Sequence, residues 1–331
     1  MTRQALISGV AFALAAGLMW GLVFVGPLTL PDYPASLQSF GRYLAFGLIA
    51  LPLGWFDRAK LRELTRADWV EALKLALVGN IVYYLFLASA IQRAGGPLPT
   101  MIIGTLPVVI AIVSNVRRAP EGARVETPLP WSRLLPSLLL IGSGLALVNG
   151  VELDRLRADA DADVARYALG AALAVGAVAC WTWYPIRNAQ WLRSHPERSP
   201  RAWATAQGLA TLPLALLGYA ATWLWSTATD APFAMPFGPR ALDFIALMFA
   251  IGLFASWLGT LCWNEASQRL PPAVSGQLIV FETLAALSYA FVLRHSAPPA
   301  QTLLGAALLV AGVVWAVRER PSPRTADAHP N

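Results

Sequence analysis

The stretch GTLCWNEASQRLPPAVSGQLIVFETLAALS, residues 259–288, decides the fold, because it aligns with an earlier stretch after a shift of 176 residues. The earlier stretch, YYLFLASAIQRAGGPLPTMIIGTLPVVIAI, covers residues 83–112, and Gln92-Arg93 then falls on Gln268-Arg269. Each dipeptide lies in a short, Pro-containing turn between two apolar runs. The sequence identity of the two stretches is low, so the evidence for a repeat comes mainly from topology: we expect the two turns on opposite sides of a membrane.

The composition indicates a protein that crosses a membrane many times. The 331 residues are 56% hydrophobic and only 13% charged, whereas a soluble domain has about 25% charged residues. The apolar residues form blocks of roughly 18–25, enough to cross a hydrocarbon core of about 30 Å. We predict ten spans, at about residues 5–30, 35–56, 70–92, 97–116, 134–150, 167–190, 203–225, 241–264, 272–293 and 300–317.

The basic residues predict how these spans are oriented. Seventeen of the 25 Lys and Arg residues lie in loops on the side of the N-terminus, and six lie in loops on the other side. Cytoplasmic loops carry the excess of basic residues, so both termini should be cytoplasmic. The same distribution argues against a nucleic-acid surface, since the charges lie in short loops and not on one exposed face.

The predicted organisation is an all-α membrane protein of two inverted five-helix repeats. The first repeat is residues 1–133, spans 1–4, plus span 5 at 134–150; an external acidic loop follows at 151–166. The second repeat is 167–317, spans 6–10, and the tail 318–331 is expected to be disordered. The Trp-bearing stretches GLMWGLVFVGP and AVACWTWYPIR pair in the same way, from spans one and six. Inverted repeats are typical of secondary transporters, which bind near the bilayer midplane.

Several motifs resemble the EamA family of the drug/metabolite transporter superfamily. MWGLVFVGPLTL contains a W-G-x-x-F element at Trp20, and Arg42-Tyr43 follows in span two. GTLPVVIAI is similar to the T-P-x-x-x-A element of span four, with one residue inserted. FETLAALSYAFVL is similar to the partner element of span nine, but Thr283 stands where the family usually has Pro. The aromatic-rich spans resemble those of YddG-type exporters of aromatic amino acids, which implies export of such solutes.

Glu282 is the most informative single residue, because it lies near the centre of predicted span nine. A charge at that depth costs at least about 2.5 kcal/mol, so such residues are protonated, paired or next to water. Three uses compete: Glu282 could bind a substrate ammonium, carry a coupled proton, or form a structural hydrogen bond to a neighbouring helix.

Polar residues of span three form a second candidate. Asn80, Tyr83 and Tyr84 have the spacing of one α-helical face, which favours the wall of a wet cavity. The alternative is an interhelical hydrogen bond, worth on average about 0.6 kcal/mol in membranes.

The tryptophans divide between cavity and interface. We predict Trp20 and Trp181 in the cavity, with Trp263 either there or in an aromatic belt. Trp183 and Tyr184 could both form such a belt because Arg187 is close by; we favour the belt for Trp183 and leave Tyr184, one turn from Trp181, open. The candidate substrate-binding set is completed by Gln277, although it lies roughly 140° around the helix from Glu282. We expect Asn264 to be solvated. Arg42 can snorkel outward, and we expect a structural or gate-forming role for it and not that of the main binding group.

The leading functional hypothesis is a secondary transporter of the inner membrane. It would export a small organic solute, most simply an aromatic or apolar amino acid, by alternating access around a central cavity; uptake, or another small metabolite, is the alternative. No Walker motif is present, so ATP does not drive transport directly. A membrane-embedded enzyme is disfavoured, because the three His residues lie in loops or the tail and no carboxylate pair falls within a span.

The expected partners are a small-molecule substrate and the lipid bilayer. We expect no nucleic acid, no metal and no cofactor, since Cys180 and Cys262 lie in apolar blocks and no CxxC motif occurs. A monomer is the working expectation, because the sequence contains no marker of oligomerisation.

Overall fold

The computed structural model of the chain describes residues 3–94, 97–116, 131–157, 164–229, 233–270, 274–275, 278–293, 295 and 297–318. Over these residues it contains α-helix, 3-10 helix and π-helix but no β-strand, so the all-α prediction is confirmed there. The α-helices are α1 Arg3–Trp20, α2 Val25–Thr29, α3 Ala35–Phe56, α4 Arg58–Leu61, α5 Arg66–Leu75, α6 Tyr83–Ala94, α7 Pro97–Ile103, α8 Leu106–Val116, α9 Trp131–Arg157, α10 Val164–Ser194, α11 Pro200–Ala228, α12 Ala241–Ile251, α13 Gly259–Arg269, α14 Val280–Leu293 and α15 Ala300–Arg318.

Within these described ranges, five continuous helical stretches are long and apolar enough to cross a membrane: Gln4–Thr29, Arg66–Ala94, Val164–Ser194, Pro200–Ala228 and Ala241–Arg269. Shorter apolar helices cover Leu134–Leu147, Val280–Leu293 and Ala300–Gly312. Many helices are longer than the apolar runs from which they were predicted, because their polar ends remain helical. In particular α9 continues to Arg157 and α10 begins at Val164, so most of the predicted loop 151–166 that the structure describes is helical.

A proline explains the irregular end of the first helix. An α-helix would pair the carbonyl of Val23 with the N–H of residue 27, but Pro27 has no N–H. The chain forms a 3-10 helix over Gly21–Phe24 at this point. The hydroxyl of Tyr84 instead donates to the Val23 carbonyl at 3.0 Å. Because Pro27 leaves the Val23 carbonyl without a helical donor, this hydrogen bond from Tyr84 can connect the first helix to α6.

Two π-helical segments interrupt long helices at matching places. One covers Ala76–Val82, between α5 and α6, and the other covers Gly252–Leu258, between α12 and α13. Their first residues lie 176 positions apart, the same shift that aligns the two stretches of sequence. Single-turn π-helices are rare and occur frequently at functional sites. Each segment directly precedes a helix that contributes aromatic residues to the centre of the molecule.

Helices equivalent by the predicted repeat pack against each other in opposite directions. In α3 and α11, Gly47 lies against Leu212, and Asp57 at the end of α3 pairs with Arg201 at the start of α11. In α9 and α15, a Cβ on Gly144 would lie 3.0 Å from the Leu309 side chain.

The other main helix contacts also come in corresponding pairs. Helix α1 packs on α13 and α14, while α10 packs on α6 and α7. Exchanging each helix for its counterpart in the other half converts the first set of contacts into the second. The contacts of the first set place α1 beside the centre of the bundle. The contacts of the second set place α10 there.

Candidate functional site

Aromatic side chains from four helices meet at the centre of the bundle. Trp181 of α10 contacts Trp20 of α1 edge to face, with 5.0 Å between ring centroids. The same indole stacks on Tyr83 of α6 at 4.6 Å and on Tyr184 at 4.9 Å. Trp263 of α13 contacts Trp20 at 5.2 Å. All five rings are buried, and we call this group the aromatic cluster.

Close backbone approaches give the aromatic cluster its shape. A Cβ on Gly259 would lie 2.7 Å from the indole nitrogen of Trp20, so glycine at this position lets the ring approach α13 closely. Tyr83 is the first residue after the π-helical segment Ala76–Val82, which therefore sets the direction of its side chain.

Glu282 of α14 lies beside the aromatic cluster and is only 1% exposed. Its carboxyl is close to the side chains of Trp181, Tyr83 and Arg42. Oε2, however, forms no hydrogen bond of normal geometry with a described residue. Helix α1 packs against the backbone of Glu282 at Gly17, where an added Cβ would lie 3.1 Å from the Glu282 backbone nitrogen.

Three donors of the aromatic cluster are likewise buried without a partner within the part of the chain that the structure describes. They are the indole N–H groups of Trp181 and Trp263 and the hydroxyl of Tyr83. Leaving a buried polar group unsatisfied costs about 1–3 kcal/mol. Several such groups around one point therefore indicate a place where a polar ligand completes the hydrogen bonding.

Arg42 lies inside the bundle and does not snorkel outward, although its position near a helix end would allow it. It is 4% exposed, and its Nε donates to Ser256 Oγ at 3.0 Å. Its guanidinium lies 4.5 Å from the ring centroid of Tyr84 and 4.8 Å from that of Tyr43. Cation–π contacts with two rings stabilise a desolvated guanidinium, and this explains why the side chain turns inward.

The candidates of span three contact different neighbours. Asn80 donates to Thr211 of α11 at 3.1 Å, whereas Tyr84 donates to the backbone of Val23. Only Tyr83 enters the aromatic cluster. The prediction assumed α-helical spacing, but Asn80 lies within a π-helical segment, whose i→i+5 hydrogen bonding changes the direction of the side chains.

A buried hydrogen-bonded network, which we call the amide network, adjoins the aromatic cluster. The hydroxyl of Tyr184 donates to Gln207 Oε1 at 2.9 Å, and Gln207 Nε2 donates to Asn188 Oδ1 at 3.2 Å. Asn188 Oδ1 also accepts from the indole of Trp203 at 2.9 Å, and Asn188 Nδ2 donates to Asn264 Oδ1 at 2.8 Å. Each of these side chains is fully or almost fully buried.

This network decides one alternative and corrects one expectation. Of the two positions left open for Tyr184, the structure excludes the interfacial belt: α10 continues to Ser194, so Tyr184 lies well inside the helix. Asn264 is not solvated: it is 0% exposed, because α13 packs against α10 and α11. The belt alternative and the expectation for Asn264 both placed the end of a helix too early. Asn188 and Gln207 were missed altogether; Gln207 is an amide within the largely apolar stretch AWATAQGLATL and could have been recognised as such, whereas Asn188 directly follows Arg187.

Polar contacts close the bundle at both ends. At one end, Tyr33 lies in the loop between α2 and α3, and its hydroxyl donates to the Phe237 carbonyl at 3.0 Å. Arg240 pairs with Asp32 of the same loop. At the other end, ion pairs connect the start of α5 and the turns around it with α10 and α11. These pairs are Arg187–Glu71, Arg198–Glu63 and Arg201–Asp57.

Neither the last candidate residue nor the remaining cavity adds to the aromatic cluster. Gln277 lies outside the described residues. No group of three or more His, Cys, Asp or Glu residues that could hold a metal occurs within the described ranges. A cavity of about 550 Å³ lies between α14 and α15; its lining includes Leu284, Leu287, Phe291, Val292 and Leu303, and no residue of the aromatic cluster lines it.

Comparisons with known proteins show what the chain is similar to. Residues 7–119 match the EamA-like transporter family. The inner membrane protein YtfF of Escherichia coli (strain K12) is 55% identical over 316 residues, which cover 96% of this chain and 97% of that protein. One solved crystal structure superposes with a TM-score of 0.68 at 18% identity, over 93% of this chain and 97% of the other. That likeness concerns the fold alone.

Proposed function

The chain belongs to the EamA-like transporter family, and from this membership we propose a multi-pass carrier of the inner membrane that moves a small organic solute through the aromatic cluster. The observation that carries the proposal is the set of unpartnered buried polar groups on Trp181, Tyr83, Trp263 and Glu282. Family membership also favours a transporter over an enzyme. The related protein YtfF is described as an inner membrane protein, which supports this location.

We propose that ten spans form two inverted halves with both termini in the cytoplasm. Three observations support this arrangement: the π-helical segments 176 residues apart, the opposite directions of α3 and α11, and the corresponding helix contacts of the two halves. The excess of basic residues in the loops on the N-terminal side supports the orientation.

Alternating access then follows from the contacts at the two ends of the bundle. Release of the Tyr33 and Arg240 contacts would open one side, and release of the ion pairs around α5, with the amide network, would open the other. The aromatic rings contact one another directly, so a solute must enter between them. Tyr184 belongs to both the aromatic cluster and the amide network, and separation of its ring from Trp181 would therefore disturb the network.

The proposed solute is an amino acid with an aromatic or apolar side chain, moved outward. Indole and phenol rings offer stacking surfaces to an apolar side chain and a cation–π environment to an ammonium group. The ammonium group would bind Glu282 Oε2, which otherwise lacks a partner. Glu282 is also the proposed coupling group, since the same carboxyl could take up a proton when the solute leaves.

Transport by purified protein in proteoliposomes tests the proposal. Labelled phenylalanine, tryptophan and leucine are followed with and without a pH gradient, in both orientations of the gradient, which also separates export from uptake. We expect Glu282→Gln to abolish gradient-driven transport, while Asp243→Asn, an exposed acid of α12, leaves it unchanged. Unaltered gradient-driven transport by Glu282→Gln would refute the coupling role, and failure of the native protein to move any of the three would refute the substrate class.

A further inference from the structure

Arg42 is a buried cation whose charge no described acidic residue neutralises by direct contact. Its Nε is occupied by Ser256, but Nη1 is buried and has no partner among the residues that the structure describes. No described carboxylate lies within the 4.0 Å that defines an ion pair with it. Burying an arginine in this state is unfavourable, and the most direct compensation is a ligand that brings an anion.

The surroundings of Arg42 hold the guanidinium in one orientation. The rings of Tyr84 and Tyr43 flank it, and Ser256 comes from the π-helical segment Gly252–Leu258. Gly252 lets that segment contact α3 closely, since a Cβ there would lie 3.2 Å from the Arg42 carbonyl. The Nε edge is thus fixed, while Nη1 remains available for a further hydrogen bond.

Arg42 lies near the aromatic cluster, not in a separate part of the molecule. Its charge acts on both Glu282 and Tyr83, which places the guanidinium near both. Glu282 and Arg42 nevertheless stay beyond ion-pair distance. The centre therefore has one acceptor and one cationic donor, each incompletely satisfied and each held apart from the other.

We propose that Arg42 binds the carboxylate of the solute while Glu282 binds its ammonium group, with Ser256 as the residue that positions Arg42. The inference rests on the proposed function and narrows its substrate class. The carrier accepts zwitterions whose two charges reach both residues. It rejects amines that lack a carboxylate, because such a ligand leaves the buried guanidinium unpaired.

Ligand binding to the full-length protein in detergent micelles tests this assignment. Tryptophan fluorescence is titrated with phenylalanine and leucine, and with phenethylamine and isoamylamine, which lack the carboxylate. For the native protein we expect each amine to bind at least about 10-fold more weakly than its amino acid, an effect of one missing charged hydrogen bond.

Variants separate the role of Arg42 from a loss of folding. Arg42→Lys should weaken amino-acid binding about 10-fold or more and leave amine binding unchanged, since a lysine cannot reproduce the fixed fork of a guanidinium. Ser256→Ala should also weaken amino-acid binding selectively, but by a smaller factor. This variant still tests the assignment if Arg42→Lys does not fold. Arg58→Lys, an exposed arginine after α3, is the matched control and should bind as the native protein does.

The outcomes distinguish this inference from the proposed function. Equal affinity of the native protein for amino acids and amines would overturn the role of Arg42 and leave a carrier of ammonium-bearing solutes standing. Equal losses for both ligand classes in Ser256→Ala would also overturn it, because a general structural defect would then explain the loss. Native protein that binds no member of the panel would contradict the proposed substrate class itself.

Discussion

Replacement of Gly21 by alanine tests whether the first helix and α14 meet through their backbones. A Cβ at this position would lie 2.7 Å from Ala285 Cβ and 2.9 Å from the Ala286 nitrogen. Non-bonded carbon atoms rest about 3.5–4.0 Å apart, so α14 would have to withdraw by about 1 Å. Overpacking costs about 1–3 kcal/mol, and the better helix propensity of alanine offsets about 0.5–1 kcal/mol of it.

We therefore expect Gly21→Ala to lower the free energy of unfolding by about 1–2 kcal/mol. Gly142→Ala in α9 is the matched control: no heavy atom lies within 4 Å of its added Cβ, so it should stabilise the protein by about 0.5–1 kcal/mol. Titration of the purified variants from mild detergent into SDS, followed by circular dichroism, measures both. If Gly21→Ala unfolds at the same SDS fraction as Gly142→Ala, the close backbone contact is wrong.

Three further predictions use the same titration. Tyr84→Phe should lower the free energy of unfolding by about 1–3 kcal/mol, because the buried carbonyl of Val23 loses its hydroxyl donor. Adding Pro27→Ala should recover part of that loss, since alanine supplies an N–H to the same carbonyl; strictly additive effects in the double-mutant cycle would exclude this explanation. Asn188→Ala should lower the free energy of unfolding by about 2 kcal/mol or more, because it leaves several buried groups unpaired. The control Gln190→Ala, at an exposed position of the same helix, should change it by less than about 0.5 kcal/mol. Equal effects of the two substitutions would contradict the amide network.

The helical framework could be predicted from the sequence because its signal is local. Apolar runs of membrane length predicted helices that the structure contains, and Pro27 marks the place where the first helix becomes irregular. Helix ends were less accurate, since polar residues such as those after Val151 can continue a helix beyond its apolar part.

The aromatic cluster was predicted in part. Trp20 and Trp181 followed from the alignment of the two halves, and the structure brings them into contact. The positions of Tyr184 and Arg42 stayed open in the sequence because they depend on distance from a helix end, a quantity that the sequence specifies poorly. The hydrogen-bond partner of Asn80 was not predicted for a different reason, since a π-helix leaves no periodic signal in a sequence.

The amide network lay beyond sequence reasoning for a physical reason. Asn188, Gln207 and Asn264 are separated by up to 76 positions and belong to three helices. A single amide in an apolar run indicates that it needs a partner, because burial without one is costly. It does not indicate which partner, since that depends on how the helices are packed.

The two π-helical segments give the chain a rotational freedom that an uninterrupted helix lacks. Each successive residue of an α-helix turns the chain by about 100°. If such a segment rewound as α-helix with one residue fewer in its turns, the helix that follows it, α6 or α13, would therefore rotate by about this angle. Tyr83 would swing away from Trp181 in the first case, and Trp263 would swing away from Trp20 in the second. Rotation of α6 or α13 at these two corresponding places would thus separate the rings of the aromatic cluster from either half of the chain.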